Sequence, residues 1–437
     1  MNRVLFLSSS DADGGATAWF MNLAETLHNE DDYEVAVIVK TKYSSKDYVY
    51  QVGISPSNSH LSRFIKKYIK KTPRDIFYDS KPQYCFFPFE TEYSERVSAN
   101  DIIGVCPFRP DIIVSGLTYG FVNTNTLLEL HTAWDIPVFM TAYDANVYTG
   151  GCHVIFKCDG FTRACEDCPG IRVTGRKKEI SKSFALKRKN IASAQIGVLY
   201  ASAWSLDNIK RSACFRDRLH YDIGMCINTQ LFNNDKRAIA KKVFDLPEEC
   251  RMVFAGAVNF KEERKGSVLL LHSLSLLWDQ LSPEIRDKVY IMIAGKNKQL
   301  FSQYSEHLPP FHFQLIDFIS DVRLLSLAYQ AADVFVCSSI EDAGPMMVSE
   351  ALSCGTPVVG FPVGLMYDQT YVRDGVTGFV VEHRSVEGMA NAISKVLELN
   401  STEFLRMSDA CRKTAVEGLS QSAFVANFNQ MMRCIKG

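Results

Sequence analysis

Short apolar runs alternate with segments of helical spacing along most of the chain, and this alternation constrains the fold more than any other feature. Residues 4–7 and 34–39 are apolar runs bounded by polar residues, and Phe20, Leu23 and Leu27 fall at helical spacing between them. Strand, helix and strand in this order predict a βαβ unit, whose right-handed crossover builds doubly wound parallel sheets.

The same pattern continues and then restarts near the middle of the chain. We predict further strands at 111–114, 137–140, 196–199, 251–256, 289–295, 313–316, 334–337 and 357–360. The sequence therefore predicts two doubly wound α/β domains, one over residues 1–222 and one over 223–418, facing each other across a cleft. Residues 41–100 are irregular and aromatic, and we assign them no elements.

Composition excludes several classes of protein. The chain of 437 residues carries 48 Lys+Arg and 49 Asp+Glu, so its net charge of −1 disfavours a general polyanion binder and we expect no nucleic-acid partner. No apolar run approaches the roughly 18 residues of a membrane span. The apolar stretch within residues 1–8 is too short for the hydrophobic region of a secretory signal, so we expect a cytoplasmic protein.

Three loops after predicted strands have unusual composition. Gly14 and Gly15 precede a helix, which suits close approach to an anion but also an ordinary tight turn. Arg264 and Lys265 follow the first strand of the second domain, where paired cations suit a diphosphate. A charged loop exposed to solvent would have the same composition. Neither loop is specific alone.

The third loop is the most informative. Glu341 and Asp342 precede a chain break at Gly344-Pro345, and Met346 and Met347 can begin a helix. Backbone amides of this loop could hold sugar hydroxyls or phosphate. Glu350 lies on the predicted helix, where a carboxylate can accept hydrogen bonds from two ribose hydroxyls.

These C-terminal motifs resemble the signature of glycosyltransferase family 4. The resemblance rests on Glu341-Asp342-x7-Glu350-Ala-Leu-x-Cys-Gly-Thr-Pro-Val-Val, then Gly364, then the 374–381 run Asp-Gly-Val-Thr-Gly-Phe-Val-Val. It implies a GT-B fold of two Rossmann-like domains, with a nucleotide-sugar donor held mainly by the C-terminal one. It also implies that residues 419–437 form a helix returning to the N-terminal domain.

The resemblance implies roles for particular residues. Lys265 and Arg264 would bind the donor diphosphate, Asp342 or Glu341 would touch the sugar hydroxyls, and Glu350 would hold the ribose. The remaining donor-binding positions would be Gly14, Gly15, Gly344, Pro345, Met346 and Met347. Family members retain the anomeric configuration and generally need no catalytic metal, so no cofactor is expected for catalysis.

Two departures from the family pattern bear on activity. The Arg usually found soon after the first C-domain strand is replaced by the run Gly256-Ala-Val-Asn, and Arg264 can substitute for it. Many relatives carry a His in the N-terminal cleft, where this chain has Tyr143 and Asp144 on the expected acceptor side. The leading hypothesis is a retaining hexosyltransferase of polysaccharide biosynthesis; the alternative is a catalytically weak or inactive sugar-nucleotide-binding scaffold.

A cysteine-rich insertion spans roughly residues 149–170. Cys152, Cys158, Cys165 and Cys168 follow the spacing C-x5-C-x6-C-x2-C, and a similar insertion occurs in a subset of family 4 enzymes from polysaccharide gene clusters. Four thiolates would satisfy tetrahedral zinc, so we expect a structural zinc site. An iron site, unliganded thiols or a disulfide remain alternatives.

Two basic stretches, 63–71 and 172–189, lie in the N-terminal domain. Such surfaces can contact anionic lipid headgroups, although a solvated amphipathic face is the simpler interpretation. Family 4 acceptors are often lipid-linked sugars. We therefore expect a glycan or polyprenyl-diphosphate-linked acceptor, and peripheral contact with the inner face of the membrane.

Overall fold

A computed structural model describes residues 1–12, 14–53, 80–86, 91–94, 96–172, 174–296 and 308–437, without the side chains of 174 and 175. The chain divides into two compact units. The first comprises residues 1–201, 205–223 and 428–437, and the second comprises 202–204 and 224–427. The basic stretch 63–71 lies outside the described residues.

The first unit is built on a parallel sheet. Within the described residues its strands are β1 (Asn2–Ser10), β2 (Tyr33–Thr41), β3 (Val49–Gln51), β4 (Ile112–Ser115), β5 (Val138–Thr141), β6 (Gly197–Tyr200) and β7 (His220–Asp222). Their order is β3-β2-β1-β4-β5-β6-β7, and each strand pairs in parallel with its neighbours. The helices are α1 (Gly14–His28), α2 (Ala99–Val105), α3 (Thr124–Trp134), α4 (Thr174–Ser193) and α5 (Ala203–Arg211).

The second unit repeats this architecture. Its strands are β8 (Arg251–Asn259), β9 (Val289–Lys296), β10 (His312–Ile316), β11 (Val334–Cys337), β12 (Val358–Gly360) and β13 (Gly378–Val380), in the parallel order β10-β9-β8-β11-β12-β13. Its helices are α6 (Arg237–Val243), α7 (Ser267–Gln280), α8 (Pro283–Arg286), α9 (Val322–Ala331), α10 (Met346–Ser353), α11 (Val386–Leu397) and α12 (Ser401–Gly418). The last helix, α13 (Gln421–Lys436), follows.

Burial explains why the strands read as continuous apolar runs. All four residues of β4, β5 and β11 are buried, because helices cover both faces of a doubly wound sheet. Each predicted strand is confirmed, with ends shifted by a few residues. The edge strands β3 and β7 were not predicted, because three-residue strands carry too little pattern to recognise.

Strand order fixes where a ligand can approach each sheet. In each unit, successive strands are added on one side of the first strand and then on its other side. The order of the strands therefore switches between β1 and β4 in the first unit, and between β8 and β11 in the second. At such a switch point the loops after the two strands diverge and leave a crevice at the carboxyl edge. The Gly14 loop follows β1, while the loops carrying Lys265 and Asp342 follow β8 and β11.

Candidate functional site

The loops after β8 and β11 are joined by backbone contacts. The amide of Ile340 donates to the carbonyl of Arg264 at 2.8 Å, and the hydroxyl of Ser338 donates to the carbonyl of Lys265 at 2.8 Å. Gly266 completes the junction with φ +63°, and a Cβ there would lie 2.0 Å from the carbonyl oxygen of Ser338. The side chains on both loops are therefore held by a fixed backbone.

Three charged side chains meet at this junction. The Asp342 carboxylate accepts from Lys265 Nζ at 2.8 Å and from Arg264 Nη1 at 3.3 Å. Arg264 also pairs with Glu262 at 2.7 Å. Burial raises the pKa of Asp342, but the Coulombic attraction of Lys265 and Arg264 outweighs it, and the pKa stands below its ordinary value.

Glu350 occupies the face of α10 that turns into the unit. Its side chain is buried, and the hydroxyl of Tyr329 in α9 donates to Oε2 at 2.8 Å. Burial raises the pKa of Glu350 to about 7, while the Tyr329 hydrogen bond lowers it. An ionised carboxylate in this position can accept hydrogen bonds from the hydroxyls of a ribose, and such bonds would favour its charged form.

Four more of the predicted donor-binding positions, residues 344–347, form the turn into α10 and its first two residues. Pro345 is the N-cap of the helix, which begins at Met346, and Gly344 N–H lies 3.4 Å from Asp342 Oδ1. Gly364 packs against this turn, since a Cβ there would come within 2.6 Å of Pro345 Cδ. Met347 reaches back to β8, where its methyl carbon would clash with any Cβ at Gly256. Glu341 is buried beside them.

In the first unit, the structure brings the glycine loop close to the predicted acceptor side. Gly14 adopts φ +78° at the start of α1, and neither Gly14 nor Gly15 has a heavy atom within 4 Å of an added Cβ. Trp19, on the first turns of α1, packs edge-on against Tyr143 with ring centroids 5.7 Å apart. The predicted roles of these residues stay predictions.

Sequence reasoning missed a partner of Asp144. One carboxylate oxygen of Asp144 accepts from the amide of Asn146 at 2.8 Å, and the other lies 2.7 Å from Nδ1 of His153. His153 belongs to the cysteine-rich insertion, so the pair fastens that insertion to the loop after β5. A His next to Cys152 is visible in the sequence, but no sequence pattern links it to Asp144.

The four cysteines of the insertion line one small pocket of about 10 Å³, with walls of Phe86, Phe161 and Ile180. Such a volume suffices for a single water-sized particle. The sulfur of Cys158 accepts a hydrogen bond from the Gly160 amide at 3.4 Å. The sulfur of Cys168 accepts one from the backbone amide of Gly170.

Burial raises the pKa of Cys165 to about 12, and it also raises the pKa values of Cys152 and Cys168. Among the described residues, no three His, Cys, Asp or Glu side chains converge in the geometry of a metal site. The thiols as placed therefore share a pocket without forming a completed coordination sphere, and the zinc site stays a prediction.

Most of the second unit matches a family of known proteins. Residues 239–415 match the family model of the glycosyl transferases group 1. The resemblance to glycosyltransferases predicted from the motifs is confirmed over this part of the chain.

Curated relatives named as glycosyltransferases also match part of the chain. The chain is 30% identical over 189 residues to the D-inositol 3-phosphate glycosyltransferase of Geodermatophilus obscurus, covering 39% of this chain and 38% of the relative. It is 26% identical over 286 residues to the enzyme of the same name from Mycolicibacterium smegmatis, covering 63% and 57%. The chain thus spans about two fifths of the first of these relatives.

Solved structures show that the fold extends over the whole chain. Sucrose-phosphate synthase from Thermosynechococcus elongatus matches with a TM-score of 0.66 at 14% identity, covering 99% of this chain and 98% of that one. Anabaena HepE, in complex with UDP and glucose, matches with a TM-score of 0.63 at 14% identity, covering 99% and 100%. The predicted fold class, a GT-B fold with two parallel-sheet α/β domains, is confirmed.

None of the helices that the structure describes is both long enough and apolar enough to cross a bilayer.

Proposed function

We propose that the protein is a glycosyltransferase that moves a hexosyl group from a nucleoside-diphosphate sugar to a glycan or lipid-linked acceptor. The observation that carries the proposal is the pair Arg264 and Lys265, fixed at the carboxyl end of β8 beside the Asp342 loop. Both cations stand at the switch point of the sheet, where open α/β sheets bind their ligands.

The chemistry of the transfer explains why cations are needed there. The bond between the anomeric carbon and the diphosphate oxygen breaks, and negative charge develops on the departing diphosphate. Fixed cations lower the barrier because they stabilise that charge more than the charge of the ground state. The new bond joins the acceptor oxygen to the same carbon, and the hydroxyl proton passes to the leaving diphosphate, so atoms and charge balance without a metal.

Glu350 supplies the second half of donor recognition. A buried carboxylate that accepts two ribose hydroxyls would fix the nucleoside while the cations hold the diphosphate. We propose retention of configuration on the strength of the family 4 resemblance. Assignment to polysaccharide biosynthesis is supported by similarity to WaaG, described as a glycosyltransferase of lipopolysaccharide biosynthesis, with a TM-score of 0.59.

The rest of the molecule fits an acceptor of this kind. Helix α4 is rich in Lys and Arg, which suits contact with anionic lipid headgroups. We propose that the protein acts at the inner face of the membrane. We also propose that Cys152, Cys158, Cys165 and Cys168 bind one structural zinc ion after a small movement of the sulfurs. No catalytic step depends on that ion.

Donor turnover tests the proposal directly. Purified protein is incubated with UDP-, GDP- and ADP-sugars, and release of the nucleoside diphosphate is measured with and without lipid-linked or oligosaccharide acceptors. We expect slow hydrolysis of one donor, faster release with acceptor, and a product whose anomeric proton coupling matches that of the donor. Donor binding without any release would instead identify the inactive scaffold.

A further inference from the structure

The cations of the candidate site are already neutralised within the protein. Lys265 and Arg264 share one carboxylate oxygen of Asp342, and Arg264 has a second acidic partner in Glu262. Two positive charges therefore face two negative charges before any ligand arrives. A diphosphate would gain little from such a cluster unless one of the carboxylates gave up its place.

Asp342 is held on the cations by the backbone as well as by charge. Its loop is fixed through the bonds from Ile340 to the Arg264 carbonyl and from Ser338 to the Lys265 carbonyl. The Asp342 side chain is largely buried, and Oδ2 lies within 3.3 Å of both cationic groups. A carboxylate oxygen placed between an ammonium and a guanidinium occupies the position that suits a phosphate oxygen.

We propose that Asp342 is a resident counter-ion, which occupies the anion position on Arg264 and Lys265 and is displaced by the diphosphate of the donor. This inference rests on the proposed function and deepens it. Asp342 keeps the two cations ordered between turnovers, and it competes with the nucleoside diphosphate product for them. Its negative charge therefore weakens product binding and speeds product release, while the ordered cations speed the transfer.

The inference predicts opposite effects on binding and turnover for one substitution. Asp342→Asn keeps the size of the side chain and removes its charge, so the two cations should bind an external anion more strongly. We expect UDP, GDP or ADP, whichever the wild type binds, to bind ~5–20-fold more tightly to the variant. Turnover should fall, because the cations lose their ordering partner and product leaves more slowly.

A matched control exists within the same unit. Asp333, at the amino end of β11, pairs with Arg237 at 2.8 Å and Arg251 at 3.5 Å, so it is also one carboxylate between two cations. Asp333→Asn removes the same charge far along the strands from the site and should leave the dissociation constant within ~2-fold. Asp342→Glu, which keeps the charge, should bind the diphosphate much as the wild type does.

Isothermal titration calorimetry with UDP, GDP and ADP, on variants shown to be folded by circular dichroism, decides the matter. Tighter binding by Asp342→Asn, together with slower turnover, supports the counter-ion. Unchanged or weaker binding, with wild-type protein that does bind, overturns the inference and leaves the proposed function standing. Failure of the wild type to bind any of the three overturns both. If Asp342→Asn does not fold, Asp342→Ser is judged by the same criterion.

Discussion

The hydroxyl of Tyr329 donates a hydrogen bond of 2.8 Å to the carboxylate of Glu350. Both side chains are buried, and the Tyr329 ring packs against Phe254 and Phe335 of the neighbouring strands β8 and β11. The carboxylate proposed to hold the ribose is thus anchored to the core of the unit. The ionisation of Glu350 should therefore affect both the free energy of unfolding and the affinity for the donor.

Stability should depend on pH through Glu350. Burial raises its pKa from 4.5 to about 7 in the folded chain, so between these values the folded state binds more protons than the unfolded state. The free energy of unfolding therefore falls as pH rises through this window, by an amount on the order of 3 kcal/mol. Urea unfolding from pH 4.5 to 8 measures it, with Glu350→Gln as the comparison.

The Glu350→Gln variant cannot titrate at this position and therefore tests the sign of the effect. As pH rises to about 7, we expect the free energy of unfolding of the wild type to fall relative to that of the variant, and the difference to stay constant above that pH. A constant difference over the whole range would show that Glu350 does not titrate there.

Tyr329→Phe should weaken donor binding at neutral pH. Loss of the hydroxyl removes the hydrogen bond that favours ionised Glu350, so the pKa of Glu350 rises further and less carboxylate is available to the ribose. We expect a ~3–10-fold weaker affinity for the nucleotide-sugar at pH 7, recovering at higher pH. Tyr290→Phe, in β9, is the control and should show no such pH-dependent loss.

Lys265→Ala should lower turnover by ~10²–10³, as expected on losing a contact to the charge that develops in the transition state. The backbone bonds of Lys265 to Ser338 and Glu262 do not involve its side chain, so the loop should persist. Steady-state kinetics with the preferred donor measure the loss. Lys288→Ala, which removes a half-exposed lysine paired with Glu249, is the control. Unchanged turnover of Lys265→Ala would remove this lysine from the mechanism.

Gly266→Ala tests whether the two loops must meet as closely as they do. Gly266 has φ +63° and no room for a Cβ, whereas Gly375 has φ +71° and nothing within 4 Å of an added Cβ. Alanine at Gly375 should cost only the ~1–2 kcal/mol of the left-handed backbone. Alanine at Gly266 should cost clearly more and should also weaken diphosphate binding, as urea unfolding and calorimetry would show. Equal costs would contradict the close approach.

The sequence predicted the fold well because strand burial leaves a direct trace. Parallel strands covered on both faces read as apolar runs, so β8 and β11 could be placed from residues alone. The carboxyl ends of parallel strands lie at the same edge of a sheet. The predicted strands therefore also placed Arg264, Lys265 and Asp342 at one edge. What the sequence could not supply was which charges pair, because Asp342 meets Lys265 across 77 positions of chain.

Partners of buried polar groups were invisible for the same reason. Tyr329 reads as one more aromatic residue on an amphipathic helix, and only the packing of α9 against α10 brings its hydroxyl to Glu350. His153 likewise looks like part of a cysteine motif, although the fold pairs it with Asp144. Pairings of this kind depend on tertiary contacts that periodicity does not encode.

The cysteine pocket gives the last prediction, that the purified protein holds about one zinc ion per chain. Cys152, Cys158, Cys165 and Cys168 line one pocket, and backbone amides already point at sulfur in two of them, an arrangement that stabilises thiolates bound to metal. Elemental analysis of protein prepared without chelator should find the ion, and Cys168→Ser should lose most of it together with thermal stability. Cys106→Ser, outside the pocket, should retain it. Zinc well below one per chain in the wild type would reject the site and leave four buried thiols.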